Sequence, residues 1–138
     1  MNRDAQNFKI VPMIRPYILA ETNWKQVKDQ NYEIAVLPWG ATEAHNYHLP
    51  YGTDNIEGAS IAEESARIAR EPPPKANDLP TLPFGDQTGQ RDIYLANNKN
   101  PSTQIAVLKD IPDVLHRQGV TKFSPLTSQG GNNWKSII

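Results

Sequence analysis

Two carboxylates and an imidazole are gathered in one stretch, Leu37-Pro-Trp-Gly-Ala-Thr-Glu-Ala-His-Asn-Tyr-His-Leu-Pro-Tyr-Gly-Thr-Asp54. Glu43 and His45 are two positions apart, so on an extended segment both side chains project from the same face. Asp54 lies nine residues beyond His45, with Leu49-Pro50-Tyr51-Gly52 between them to turn the chain back. A carboxylate, an imidazole and a second carboxylate converging on one point suit a divalent metal such as Zn²⁺ or Mn²⁺. A lone Glu-X-His is weak evidence, because most such matches are ordinary polar residues of a surface loop, and the same reading is open for Glu43, His45 and His48. The elements around it carry the case.

Ile34-Ala35-Val36-Leu37 reads as a buried strand that Pro38 and Gly40 end. The polar residues then lie just past the strand's carboxyl end, where open α/β sheets hold their ligands. After them, Thr53 or Asp54 opens a helix reaching Arg70. Ala59, Ala62, Ala66 and Ala69 recur every three or four residues, with Ile56 a turn earlier, which is the spacing of a helix laid on a sheet. Asp54 would sit at that helix's positive pole.

The same eighteen-residue stretch resembles the signature of the creatininase (creatinine amidohydrolase) family. That signature runs roughly Leu-Pro-X-Gly-(Ser/Ala)-X-Glu-X-His-X-X-His-Leu-Pro-X-X-X-Asp. The match is gap-free, and the likeness extends from about Tyr17 to the last residue. It implies a three-layer α/β/α fold with a mostly parallel sheet. Residues 1–138 would form a single domain corresponding to the family's N-terminal half, incomplete at the C-terminus. The resemblance further implies two Zn or Mn ions per site, with Glu43 and His45 on different metals and Asp54 bridging them. The family's chemistry is hydrolysis of a non-peptide amide or cyclic-amide C–N bond. A metal-bound hydroxide attacks a carbonyl that the second metal polarises. A small-molecule amide substrate and a homo-oligomer are implied in the same way.

The far end of the chain departs from the family. Val120 to Trp134 should be a strand running into Asn-(Gly/Ser)-His-Gly-Gly-Asn, whose histidine binds metal. Gly130, Gly131 and Asn132 match, Thr127 replaces the first Asn, and Gln129 stands in the histidine's place. Gln129, Gly130 and Gly131 are therefore expected to line a substrate pocket, with Gln129 aimed at Glu43 and Asp54. Relatives are nearly twice this length, and their second half supplies a further acidic ligand and the proton-transfer segment. No catalytic residue can be named within this chain.

Bulk properties narrow the field. The chain has 138 residues, 14 basic against 15 acidic side chains, a net charge of −1 and no cysteine. One domain, no nucleic-acid partner and no anionic membrane surface follow. Disulfides are excluded. The polar start, Met1 to Phe8, lacks the apolar core of a signal peptide, and no apolar run has membrane-spanning length, so a cytoplasmic protein is expected.

In chain order, Pro12 and Pro16 argue against helix in residues 1–16. Thr22 is expected to cap a helix over 23–30, with Trp24 and Val27 on one face. Strands are expected near 33–38, 79–83 and 121–127, and helices near 55–70 and 102–118. Glu71 to Asp78, with three consecutive prolines, is expected to be neither helix nor central strand. Gly85 to Gln90 reads as a loop that either lines the pocket or turns in solvent. Ser102 is the expected cap of the last helix. Ile105, Leu108, Ile111 and Leu115 form its apolar stripe, Pro112 interrupts it, Gly119 closes it, and His116 is solvated near its end. Pro125 conflicts with a central strand. Three functional classes remain: a metal-dependent amidohydrolase, a catalytically impaired relative that keeps the fold, and a binding or subunit role.

Overall fold

The computed structural model describes residues 14–70 and 75–134. Its centre is a parallel sheet in which β1 (Ile34–Trp39) lies between β2 (Ala76–Asp78) and β3 (Lys122–Thr127). Ile34 is opposite Ala76 on one side and Lys122 on the other, and Trp39 is opposite Thr127. Ala35 to Trp39 are all buried, as expected of an uninterrupted apolar strand covered on both faces. Among the described residues three α-helices complete the fold: α1 (Trp24–Val27), α2 (Thr53–Ile68) and α3 (Pro101–Arg117).

Alternation along β1 divides the layers. Leu37 and Trp39 face α3, where they join Trp134 in a core flanked by Val107, Leu108, Ile111 and Phe123. Gly40 and Pro38 face α2, whose Asn55 and Gly58 approach them. The result is α/β/α layering around parallel strands. Among the described residues, no helix is long and apolar enough to cross a membrane.

Both strand prolines fit the ladder for a reason the sequence alone could not supply. The carbonyls of Val36 and Pro38 accept from Leu79 and Leu82, each at 2.9 Å, so this parity of β1 faces the β2 side. β2 ends at Asp78, and the missing N–H of Pro38 falls beyond it. On β3, the amides of Lys122 and Ser128 donate to Glu33 and Trp39, so residues of even number face β1. Pro125 has the opposite parity and turns its ring nitrogen outward, where no ladder bond is lost. Among the described strands β3 is outermost, not central.

Several boundaries differ from expectation. The second strand is Ala76–Asp78 instead of 79–83, and it lies at the end of the Pro-rich stretch, as an outer and not a central strand; Leu82 contributes only an isolated bridge to Trp39. As an outer strand of three residues it still avoids the prolines, and residues 71–74 lie outside the described part. Helix α1 stops at Val27, and its cap is Asn23, which forms a reciprocal pair with Gln26. Thr22 instead bonds back to the Leu19 carbonyl at 2.8 Å. Asn100 is the N-cap of α3 with Pro101 at its first position, which Pro favours, and Ser102 lies inside. The buried stripe of α2 is Asp54, Gly58, Ala62 and Ala66, spaced four apart, while Ile56 is exposed. Pro112 lies inside α3, and Gly119 takes the positive φ of 90° that ends it.

One side chain ties these layers together. The Oδ1 of buried Asn132 accepts from the Asp86 amide and from Gln104 Nε2, both at 3.0 Å. Its Nδ2 donates to the Gly40 carbonyl at 3.3 Å and to Thr127 Oγ1 at 3.2 Å. Gln104 in turn accepts from Trp134 Nε1 at 2.8 Å. Asn132→Ala leaves buried groups on β1, α3 and the loop after β2 unpaired, and should cost roughly 2–4 kcal/mol of stability, read from urea denaturation midpoints.

Another buried polar group lies on the outer strand β2, where Asp78 is opposite Val36. Burial, and then the charge of Glu63, push the Asp78 carboxyl from 3.8 up to about 7, against the pull of Arg15. Its Oδ1 has no partner. Because the folded state holds this proton more tightly than the unfolded chain, the contribution of this carboxyl to stability is fully present below about pH 4 and is lost as pH rises towards 7. Asp78→Asn should flatten that slope and raise stability at neutral pH by on the order of 1 kcal/mol once solvent screening is allowed for. Melting temperatures across pH 4–8 compare the two forms.

Candidate metal centre

The loop after β1 is built to fold back on itself. Gly40 admits the first turn of α2: a Cβ there would lie 2.3 Å from Asn55 Oδ1 and 2.8 Å from its backbone nitrogen. Beyond it, the Glu43 amide donates to the Tyr51 carbonyl at 3.2 Å, and His45 pairs with Leu49 in an antiparallel bridge. Asn46 makes the reversal at φ 58°, a left-handed conformation that Asn tolerates. Thr53 Oγ1 then bonds the Pro50 carbonyl at 2.6 Å as α2 begins. This small hairpin returns the chain so that Asp54, in the first turn of α2, faces Glu43 and His45.

Gly58 lets α2 lie against the end of β3. A Cβ there would come within 2.7 Å of Ser128 Oγ, which donates to the Asp54 carbonyl at 2.6 Å. The backbone of Asp54 is thereby fixed from a second strand.

Ligand atoms of Glu43, His45 and Asp54 all lie within 4.8 Å of one another. His45 Nε2 is 2.9 Å from Asp54 Oδ1 and 3.9 Å from Glu43 Oε1, while Nδ1 is 3.2 Å from the Glu43 carbonyl. Burial pulls the His45 pKa down, but the Asp54 hydrogen bond, the Glu43 carbonyl and the two carboxylate charges outweigh it and raise it overall. Glu43 is raised by desolvation first and by the charge of Asp54 second, with His45 and Gln129 opposing. Asp54 Oδ2 is buried without a partner.

These features fit a divalent cation. Two carboxylates crowded into a poorly solvated site carry more negative charge than one imidazole offsets. An unpartnered buried carboxylate oxygen is an open donor, and oxygen plus imidazole donors suit Zn²⁺ or Mn²⁺. His48 lies on the exposed turn, outside the cluster.

The Gln129 side chain interacts with the Glu43 carboxyl and opposes the rise in its pKa. The Gln129 Nε2 also donates to the Asp86 carbonyl at 3.2 Å, and its Oε1 is buried without a partner. Gly131 packs on the same carbonyl, since a Cβ there would lie 2.2 Å from it, whereas Gly130 is exposed with open space beside it. The sequence did not single out Gln90, whose side chain reaches Ala44, and it left the surrounding loop undecided. Gln87 of that loop is buried, so the segment packs against the site instead of turning freely in solvent.

The creatininase family profile, described as creatinine amidohydrolase, matches residues 20–136. The chain belongs to the creatininase family. A crystal structure from Bacteroides fragilis, described as a creatinine amidohydrolase, is 40% identical; the likeness covers 91% of this chain and 51% of that one at a TM-score of 0.84. A structure of creatinine amidohydrolase (creatininase) is 24% identical, with 85% and 46% covered and a TM-score of 0.71. A mutant creatininase described as Zn-Zn type is 21% identical, with the same coverage and a TM-score of 0.72. This chain therefore spans about half the length of the solved structures it matches. No curated protein matches it.

Glu43→Gln removes one of two mutually repelling carboxylates. Without metal it should raise stability at neutral pH by on the order of 0.5–1 kcal/mol, allowing for solvent screening. It should also abolish any rise in melting temperature on adding Zn²⁺ or Mn²⁺, which differential scanning calorimetry with and without the ion reads out.

Proposed function

We propose that this chain carries the metal-binding portion of a creatininase-like amidohydrolase, which hydrolyses a non-peptide C–N bond of a small amide or cyclic amide. The convergence of Glu43, His45 and Asp54 at the carboxyl end of β1 supports this reading most directly. Glu43, His45 and Asp54 would hold the cation or cations, since Asp54 Oδ1 faces His45 and its Oδ2 has no partner among the described residues. The Zn-Zn form of a creatininase favours zinc, and manganese suits the same donors. When bound, such ions supply Lewis acidity towards a carbonyl oxygen and a lowered pKa for water.

The chain's own residues set the rest of the environment. Half-buried Glu43 and His45 and buried Asp54 keep bulk water from the donors. Gln129 presents an amide beside Glu43, where it can hold the carboxylate and line the pocket with the backbone of Gly130 and Gly131. A homo-oligomer would accord with the family resemblance.

A second reading, a binding or subunit role without turnover, is favoured by one observation. Gln129 occupies the place of a metal-binding histidine and spends its amide nitrogen on the Asp86 carbonyl. Elemental analysis of purified protein, with ring opening of small cyclic amides and amine release from linear ones followed by chromatography, separates the two. The enzyme reading expects about one to two ions per chain and turnover that Asp54→Ala lowers on the order of 100-fold. Metal uptake without turnover supports the binding role. Absence of zinc and manganese from protein dialysed against each ion removes the metal reading.

A further inference from the structure

We infer that Gln90 is a positioning residue for this site, orienting the His45 ring through the peptide group that joins Glu43 to Ala44. The inference rests on the metal reading above, but its residues lie outside the ligand set.

Gln90 ends the 3₁₀ turn Thr88–Gln90, anchored by its own amide on the Gln87 carbonyl at 2.8 Å. Its side-chain Oε1 accepts from the Ala44 amide at 3.1 Å, and its Nε2 lies 3.5 Å from the Ala44 carbonyl, the long limit of a hydrogen bond. Among the described residues no backbone group partners Ala44, although its neighbours are held by the main chain. The Glu43 amide bonds Tyr51, and the Thr42 carbonyl accepts from Asn97 at 3.0 Å. A primary amide thus stands where a neighbouring strand's peptide would be.

The consequence follows from which peptide is held. The Ala44 N–H and the Glu43 C=O belong to one planar unit and point in opposite directions. Gln90 fixes the N–H end. The C=O end is 3.2 Å from His45 Nδ1, and His45 Nε2 reaches Asp54 at 2.9 Å. One chain of polar contacts therefore runs from Gln90 through a peptide and an imidazole to the Asp54 carboxylate. A carbonyl on the far nitrogen of a metal-binding histidine sets the ring's tautomer and aim, and losing such outer support typically lowers metal affinity about 10–100-fold. Rotation of this peptide would also swing the Glu43 side chain.

Three variants test the role in the full chain. Gln90→Met keeps the length but removes the amide acceptor, Gln90→Ala removes the whole arm, and Gln90→Glu keeps an acceptor for Ala44. Zinc affinity is measured by chelator competition, the Co²⁺ visible spectrum reports ligand geometry, and the metal-free melting temperature reports the fold. Gln90→Met and Gln90→Ala should each weaken zinc about tenfold or more and alter the cobalt spectrum, with metal-free melting close to wild type. Gln90→Glu should restore the wild-type spectrum. Wild-type affinity and spectrum in Gln90→Met or Gln90→Ala would overturn the inference and leave the metal reading intact. So would losses of affinity that follow losses of melting temperature through all three variants, since Gln90 would then be structural only. A wild-type chain that takes up neither ion overturns the metal reading and this role with it.

Discussion

Everything at the carboxyl end of this sheet depends on a single buried amide. Asn132 uses both donors and accepts two bonds, and its four partners come from the end of β1, the loop after β2, α3 and the end of β3. A primary amide suits this junction because it can donate and accept at once; a carboxylate would lose the donors and a hydrocarbon would lose all four. Close approach is part of the same constraint. A Cβ on Gly85 would lie 2.8 Å from Asn132 Oδ1 and from the Gly40 carbonyl, so the loop after β2 can reach the hub only as glycine. Trp39 and Trp134, both buried, pack with ring centroids 5.2 Å apart at a tilt of 50°, and a low-dielectric surrounding of this kind strengthens the bonds of the network.

The candidate site places the opposite demand on the fold. The hub satisfies every polar atom, whereas the site leaves Asp54 Oδ2 and Gln129 Oε1 buried without partners. Glu43 and Asp54 repel each other in a poorly solvated place, and His45 compensates only in part. Such a cluster is stable only because the surrounding backbone is over-determined. The Gly58 contact with Ser128, the hairpin from Glu43 to Tyr51 and the Gln90 arm each remove a freedom that would let the charges separate. A stretch rigidified without internal charge balance is one shaped for something that brings positive charge.

The legibility of this arrangement in the sequence followed the range of the interactions. Glu43, His45 and Asp54 are brought together by one strand end, one tight turn and one helix start, local features that Gly40 and the Leu49-Pro50-Tyr51-Gly52 segment make readable, although β1 runs through Pro38 to Trp39 and the reversal itself falls at Asn46. Helices α2 and α3 were likewise readable from periodicity, although the buried face of α2 proved to be Gly58, Ala62 and Ala66 and left Ile56 outside. Composition cannot show that a glycine, not an isoleucine, faces the sheet when the reason is the proximity of Ser128. The short β2 was misplaced because the apolar Leu79 to Pro83 looks more like strand than Ala76-Asn77-Asp78. That edge is made instead by pairing, with β1 on one side and the Tyr17 carbonyl bonding Asp78 at 2.7 Å on the other.

Proline shows the same limit in a sharper form. The objection to Pro125 was sound for an arbitrary position in a paired strand, and it fails here because of parity alone. One residue earlier or later, the missing N–H would face β1 and delete a ladder bond. Pro38 escapes differently, by sitting where its neighbour strand has already ended. A sequence records that a donor is missing but not which way it would have pointed. Polar support across long sequence separations is hidden for the same reason. Gln90 and Asn132 are ordinary amides in the chain, and each finds its partners only when segments from elsewhere in the sequence are brought to it.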